Sequence, residues 1–194
     1  MLGMIIDMFW RFIRRSIQHA LLWILIAVVL LYTLIGIALT VPPPPWFRTI
    51  LETLVQRLQE EVATITWSKL VTFLFLNNVR IALLLSIPLI NIVVLIPVML
   101  MTAWLGRILA EIVAGKSWPL VMVMLLATPH SYLEFIAYSI VLTEGIYLGW
   151  KIIKRKAERT DLFVHGLYIA MSIAILAFAA MVEASLMRLP GLSR

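Results

Sequence analysis

Apolar residues run through this chain in blocks of twenty or more, separated by short polar punctuation. Five blocks are long enough to be membrane spans, since ~20 helical residues cross the hydrocarbon core. They lie at about 17–41, 69–87, 89–113, 118–150 and 163–187. Two stretches obey a different rule. Over 46–68, Phe47, Ile50, Leu51, Leu54, Leu58, Val62 and Ile65 recur every three or four residues, while Arg48, Glu52, Gln56, Gln59 and Glu60 fall mainly elsewhere. This predicts an amphipathic helix outside the bilayer core, and Thr49 and Glu52 have the spacing of a capping box. Over 1–19, Ile5, Met8, Phe9, Phe12 and Ile13 oppose Asp7, Arg11, Arg14 and Gln18, which predicts a basic helix on the leaflet or an extension of the first span.

Prolines punctuate the pattern. The run 42–45 ends the first span in polyproline conformation. Pro88 separates the second and third spans, and Pro97 lies inside the third. Arg107 and Glu111, four apart, can pair near the end of that span. Gly115, Lys116 and Ser117 form a turn, and Pro119 suits the first turn of the next helix. The piece 118–128 is too short to cross alone. It is either a half-helix or the first part of a fourth span kinked at Pro129. The fold class expected is therefore all-α: one polytopic helical membrane domain over 1–194, with about five spans, an outer amphipathic helix and a helix broken at Pro129.

Composition agrees. The chain is 63% hydrophobic and 13% charged, with mean hydropathy +1.04, whereas soluble domains are about 45–50% apolar and ~25% charged. The first run is too long for the core of a cleaved signal and predicts a retained helix. With no cysteine, disulfides and thiolate chemistry are excluded. The net charge of +6 is concentrated at Arg11, Arg14 and Arg15 and again at Lys151, Lys154, Arg155, Lys156 and Arg159. Both groups belong on the cytoplasmic side by the positive-inside rule. The expectation is a multi-pass protein of the cell membrane, N-terminus cytoplasmic and C-terminus outside. The segment 69–150 must then cross an odd number of times; three crossings fit its length best, and a single crossing with re-entrant pieces is the alternative. Beside a span, basic residues meet anionic lipid headgroups, so membrane lipids, and no nucleic acid, are expected as their partners.

An unpaired polar group in hydrocarbon costs several kcal/mol, so polar residues inside the spans should find one another. The set is Asn77, Asn78, Arg80, Asn91, His130, Glu134, Glu144 and Glu183. His130 and Glu134 share a helical face, and Arg80 is the expected cationic partner of Glu134. The site predicted is an intramembrane cluster of Asn77, Asn78, Arg80, His130, Glu134 and Glu144 at the Pro129 kink. It reads either as a clamp on a broken helix or as an ion or substrate site. His130 and Glu134 also have the spacing of two metal ligands, and Glu144 or His165 would have to supply a third. With no HExxH, no GxSxG and no aspartate pair inside a span, the expectation is no enzyme, no metal and no cofactor. Gly145 and Gly149 form a GxxxG face for internal packing or a dimer seam.

Two segments carry a resemblance: Phe75-Leu76-Asn77-Asn78-Val79-Arg80, and Thr128-Pro129-His130-Ser131-Tyr132-Leu133-Glu134. Together they resemble the stage II sporulation protein M family, whose members show asparagine after an aromatic residue in one helix, then Pro-His-Gly with glutamate a turn later. Ser131 stands here where the family usually has glycine. The resemblance covers about 22–180. It implies a membrane protein of about five spans; the family's namesake works as a scaffold with peptidoglycan-degrading partners and has no established catalysis of its own, and nothing in this sequence points to a peptidoglycan partner. By position it assigns Pro129, His130 and Glu134 as family residues, with Asn77 or Asn78 as their second-span partner. The function expected is thus a membrane scaffold or partner-binding component, acting as a homodimer or with another protein. The alternative is a channel or carrier for ions or small solutes.

Overall fold

The computed structural model describes residues 10, 21–115 and 118–188. Apart from Trp10, the basic segment expected over 1–19 lies outside the described residues, as do Lys116 and Ser117 of the expected turn. Seven helices succeed one another there: α1 Leu21–Thr40, α2 Pro45–Thr64, α3 Trp67–Ser86, α4 Asn91–Ala114, α5 Trp118–Leu126, α6 Pro129–Ile153 and α7 Arg159–Leu186. The described residues contain no strand. α3, α4 over Asn91–Ile112, α6 and α7 are long and apolar enough to cross a membrane, and α1 contributes the shorter apolar segment Ile24–Ile37.

The exterior is apolar, and several polar side chains lie inside an otherwise apolar core. Leu25, Val29, Ile92, Val93, Ile96 and Phe178 are exposed, while Asn78, Asn91, Ser139, Glu144 and Ser172 are buried. An apolar exterior of this extent needs an apolar solvent. The chain is an integral membrane protein.

α6 is the central element: 56% of its span is buried, against 22–33% for the other three. It pairs antiparallel with α7. Lys151 meets Asp161 at one end, Ser172 Oγ donates to Ala137 O in the middle, and His130 faces Glu183 at the other end. Leu31 and Ile35 of α1, Leu85 of α3, Met99 of α4 and Leu176 of α7 pack around Phe135, Tyr138 and Leu142.

Local rules explain the helix ends. Pro44 is extended (φ −54°, ψ 144°) and Pro45 opens α2, where its missing N–H costs nothing. The capping box expected at Thr49 and Glu52 does not form. Thr49 Oγ1 bonds back to Pro45 O, and Glu52 accepts from Arg48. α2 also stops short of 68, because Ile65 and Thr66 are extended, so Trp67 and Ser68 begin α3.

The fourth hydrophobic block breaks just before Pro129 rather than at it. Thr128 is extended (φ −73°, ψ 149°) and Pro129 becomes the first residue of α6, since proline disfavours the helical region for its predecessor. α5 starts beside Leu39 and Thr40 of α1 and ends where Tyr32 Oη donates to Leu126 O, at 3.2 Å. α6 then continues past Ile26 and Leu30. α5 packs mainly on α4 and reaches α1 at Tyr32, whereas α6 packs along α1 itself.

A polar collar ties the Thr40 end together. Arg107 Nε bonds Glu111 Oε1 at 2.8 Å, as their spacing suggested, and Arg48 Nη2 bonds Glu111 Oε2 at 2.7 Å. Arg107 Nη1 also donates to Leu39 O, and Trp104 Nε1 to Val41 O. Hydrogen bonds to Glu52 and then Glu111 raise the Arg48 guanidinium above its ordinary pKa. Beneath the collar, Leu51 and Val55 of α2 bury against Ile108 of α4.

Candidate functional site at the broken helix

The break lies at depth. Tyr32 is eight residues before Thr40, roughly 12 Å along α1, and Asn78 is eleven residues past Trp67, roughly 16 Å along α3, at 1.5 Å per residue. The last carbonyls of α5 and the first N–H groups of α6 have no helical partners of their own. Tyr32 satisfies one of them, the Leu126 carbonyl. Its ring packs on Phe135, with centroids 4.4 Å apart, and on Tyr132 at 5.9 Å.

Below this aromatic lid the polar groups converge. Asn78 Nδ2 donates to Glu134 Oε1 at 2.5 Å, linking α3 to α6. His130 Nε2 lies 3.9 Å from Glu183 Oε1 of α7, too far for a hydrogen bond. The same nitrogen is 3.3 Å from Thr128 Oγ1, which also contacts Ser131 Oγ at 2.9 Å. Ser131 is thus bonded into the turn. His130 Nδ1 is buried with no hydrogen-bond partner among the described residues. Glu183 and Tyr138 lie within electrostatic reach of Glu134. The carboxyl of Glu183 also sits near the positive end of the α6 dipole.

The predicted cluster is brought together only in part. Asn78, His130 and Glu134 meet at the break. Asn77 and Arg80 do not join them: both are exposed. α3 buries Leu70, Asn78, Ala82, Leu85 and Ser86. At about 100° per residue, a helix that turns Asn78 inward turns Arg80 roughly 200° away. The expected Arg80–Glu134 pair is replaced by an amide–carboxyl hydrogen bond. Glu144 is buried but lies ten residues beyond Glu134, roughly 15 Å along α6. It stands apart from the break, level with His165 in the antiparallel register. No three His, Asp or Glu side chains among the described residues converge as a metal site would require.

Glu183 was visible as a buried acid but not as a neighbour of His130. Tyr138 was overlooked, although His130, Glu134 and Tyr138 are spaced by four and form one stripe. Tyr32 carries no local signal, because only the packing of α1 on α6 brings it there. The small-residue face has a clear role. A Cβ on Gly145 would lie 2.8 Å from Asn91 Nδ2 and 2.9 Å from Ser86 O, and one on Gly149 would lie 3.1 Å from the Leu89 backbone N. The glycines seat the α3–α4 turn, where Leu89 has φ 70°, so this face is used for internal packing.

Chemically, the site offers two carboxyls, an imidazole, an amide and several hydroxyls, drawn from four helices. It can join helices through hydrogen bonds, or hold a proton or cation in passage. Compared with curated proteins and with solved structures, the chain matches none. A family model described as Stage II sporulation protein M matches residues 20–186. That match takes in every helix from α1 to α7 and the whole broken-helix site, and the chain belongs to the stage II sporulation protein M family.

Proposed function

We propose that this protein is a non-catalytic membrane scaffold that docks a partner span against α3. The observation that carries the reading is the exposure of Asn77 and Arg80 on a helix apolar enough to cross a membrane. Phe73, Leu76 and Leu84, exposed on the same side, surround them with apolar surface. Arg80 is six residues from Ser86, roughly 9 Å along the helix. The turn beyond, with Ile87, Leu89 and Ile90 exposed, is itself apolar. A lipid-facing arginine at such depth costs ~3 kcal/mol. A partner helix carrying a carboxylate removes that cost and gains a charge-assisted hydrogen bond. A second copy packed symmetrically about Arg80 would instead oppose like charges, so the partner is a different chain with an acidic group in its span. The basic loop between α6 and α7 orients the protein with α2 outside, where the collar holds α2 fixed against the bundle.

Because the chain has no cysteine, single cysteines test this cleanly. Leu76→Cys and Leu84→Cys flank Arg80, and Val93→Cys, 72% exposed on α4, is the control. In native membranes, a thiol-reactive crosslinker should join a partner of one size to the α3 positions but not to Val93→Cys, and Arg80→Leu should abolish the adduct. Equal yields at all three positions, or a yield indifferent to Arg80→Leu, refute the docking.

A second reading, a channel or carrier, is favoured by the acids at the break and by the unpartnered His130 nitrogen. Liposome flux separates the two. Solute movement that Glu134→Gln alters in rate or selectivity supports transport, and absence of flux with an intact α3 crosslink supports the scaffold.

A further inference from the structure

We propose that the crevice between α1 and α6 binds one anionic glycerophospholipid, its acyl chain lying along Ala27 and Leu142 and its headgroup held at Lys154. This rests on observations separate from the docking face on α3. The crevice has a volume of about 570 Å³, and its walls are Ile26, Ala27 and Leu30 of α1 on one side and Leu142, Thr143, Ile146, Tyr147 and Trp150 of α6 on the other. Leu142 to Trp150 is eight residues, roughly 12 Å of helix. Such a wall offers dispersion contacts and few hydrogen bonds, so a polar solute finds little to orient it and an alkyl chain finds a matching trough. The flank is open to the bilayer, since Ile26, Leu30, Ile146 and Trp150 are all exposed.

One end of the trough is charged. Lys154 Nζ stands 4.7 Å from the Trp150 ring centroid, and Arg155 and Lys156 come next on an exposed turn. Lys151, nearer the helix, is already neutralised by Asp161 at 2.7 and 2.9 Å. Among the described residues no carboxylate pairs with Lys154, Arg155 or Lys156. The turn is held in place: Arg155 takes a left-handed φ of 53°, Arg155 N donates to Ile152 O, and Lys156 N donates to Lys151 O, both at 2.9 Å. A cation placed over Trp150 at the end of an apolar trough, with two more on the same backbone turn, matches a lipid that carries a net negative phosphate headgroup. A zwitterionic headgroup would bring its own cation against them.

The test uses the full-length chain, reconstituted in phosphatidylcholine bilayers containing a minor fraction of phosphatidylglycerol and read by native mass spectrometry. One phosphatidylglycerol per chain should be retained, well above its bulk fraction, and Lys154→Gln should lower that retention by about fivefold, the weight of one basic residue at a membrane surface. Lys154 is exposed, so the variant leaves packing intact. In parallel, phosphatidylglycerol with brominated acyl chains should quench the fluorescence lost in Trp150→Phe more strongly than brominated phosphatidylcholine does. Excess inorganic phosphate should displace neither signal. Retention at the bulk ratio, retention unchanged by Lys154→Gln, equal quenching by the two lipids, or a trough that neither lipid reaches because residues preceding α1 fill it, would each overturn the proposal.

Discussion

Replacing Gly145 with alanine adds one methyl group to α6, and the structure fixes what that methyl meets. It would lie 2.8 Å from Asn91 Nδ2, 2.9 Å from Ser86 O and 3.2 Å from Leu85 O. Two of these atoms are backbone at the end of α3. The third belongs to a fully buried side chain bonded to Leu142 O at 3.2 Å. None can swing aside, so the α3–α4 turn must shift away from α6. Overpacking of this kind costs about 1–3 kcal/mol, while replacing glycine by alanine in a helix returns up to ~1 kcal/mol. The net expectation is a loss of ~1–2 kcal/mol, or a fall of roughly 2–8 °C in melting temperature for a chain of this size. Gly166 is the internal control, because a Cβ there meets nothing within 4 Å. Gly166→Ala should be neutral or slightly stabilising. The assay is the temperature at which half of each purified variant in mild detergent ceases to elute as a monodisperse species. Equal melting temperatures for Gly145→Ala and Gly166→Ala would refute the reasoning.

Two further outcomes derive from the polar contacts. Asn78→Leu removes the donor of Glu134 and should cost about 1–3 kcal/mol. Pairing it with Glu134→Leu should recover part of that loss, and a double-mutant cycle in denaturant should give a coupling of ~1 kcal/mol; a coupling of zero would show that the 2.5 Å contact does not join the helices. Glu111→Gln cuts the ion network between Arg48 and Arg107. Because the network is partly exposed, the stability cost should stay near or below ~1 kcal/mol, yet α2 should loosen and trypsin should cleave faster after Arg57, which is exposed within that helix. An unchanged cleavage rate would mean that Leu51, Val55 and Ile108 alone hold the helix.

The identity of the elements was legible from local pattern. Apolar blocks marked the spans, a three-to-four-residue period marked α2, and proline marked the break and the linker. These features depend on backbone propensity and on transfer into lipid, which act residue by residue. The Arg107–Glu111 pair was legible for the same reason, since both partners sit on one helix. Helix ends were read less well: the α2–α3 boundary came early, and the Thr49–Glu52 box gave way to a proline start, because competing local signals are decided by what the neighbouring turn packs against.

The candidate site divides along the same line. That the acids, the imidazole and the amides must be shielded was evident from their cost in hydrocarbon, and so was the neighbourhood of His130 and Glu134. Which residue of α3 reaches Glu134 was not. Asn77, Asn78 and Arg80 are nearly equivalent in a one-dimensional reading, and only the rotation of α3 about its own axis, set by Leu70, Ala82 and Leu85 packing inward, selects Asn78 and leaves Arg80 outside. Sequence alone determined that this is a bundle of membrane helices with a broken segment and a polar interior. Tertiary structure decided the rotation of each helix, the meeting of Tyr32 and Glu183 at the break, and the seat of the α3–α4 turn on Gly145 and Gly149. Rotation and docking are collective properties: every residue on a helix face shares one angle, and that angle is set by the sum of its contacts with neighbours distant in the chain.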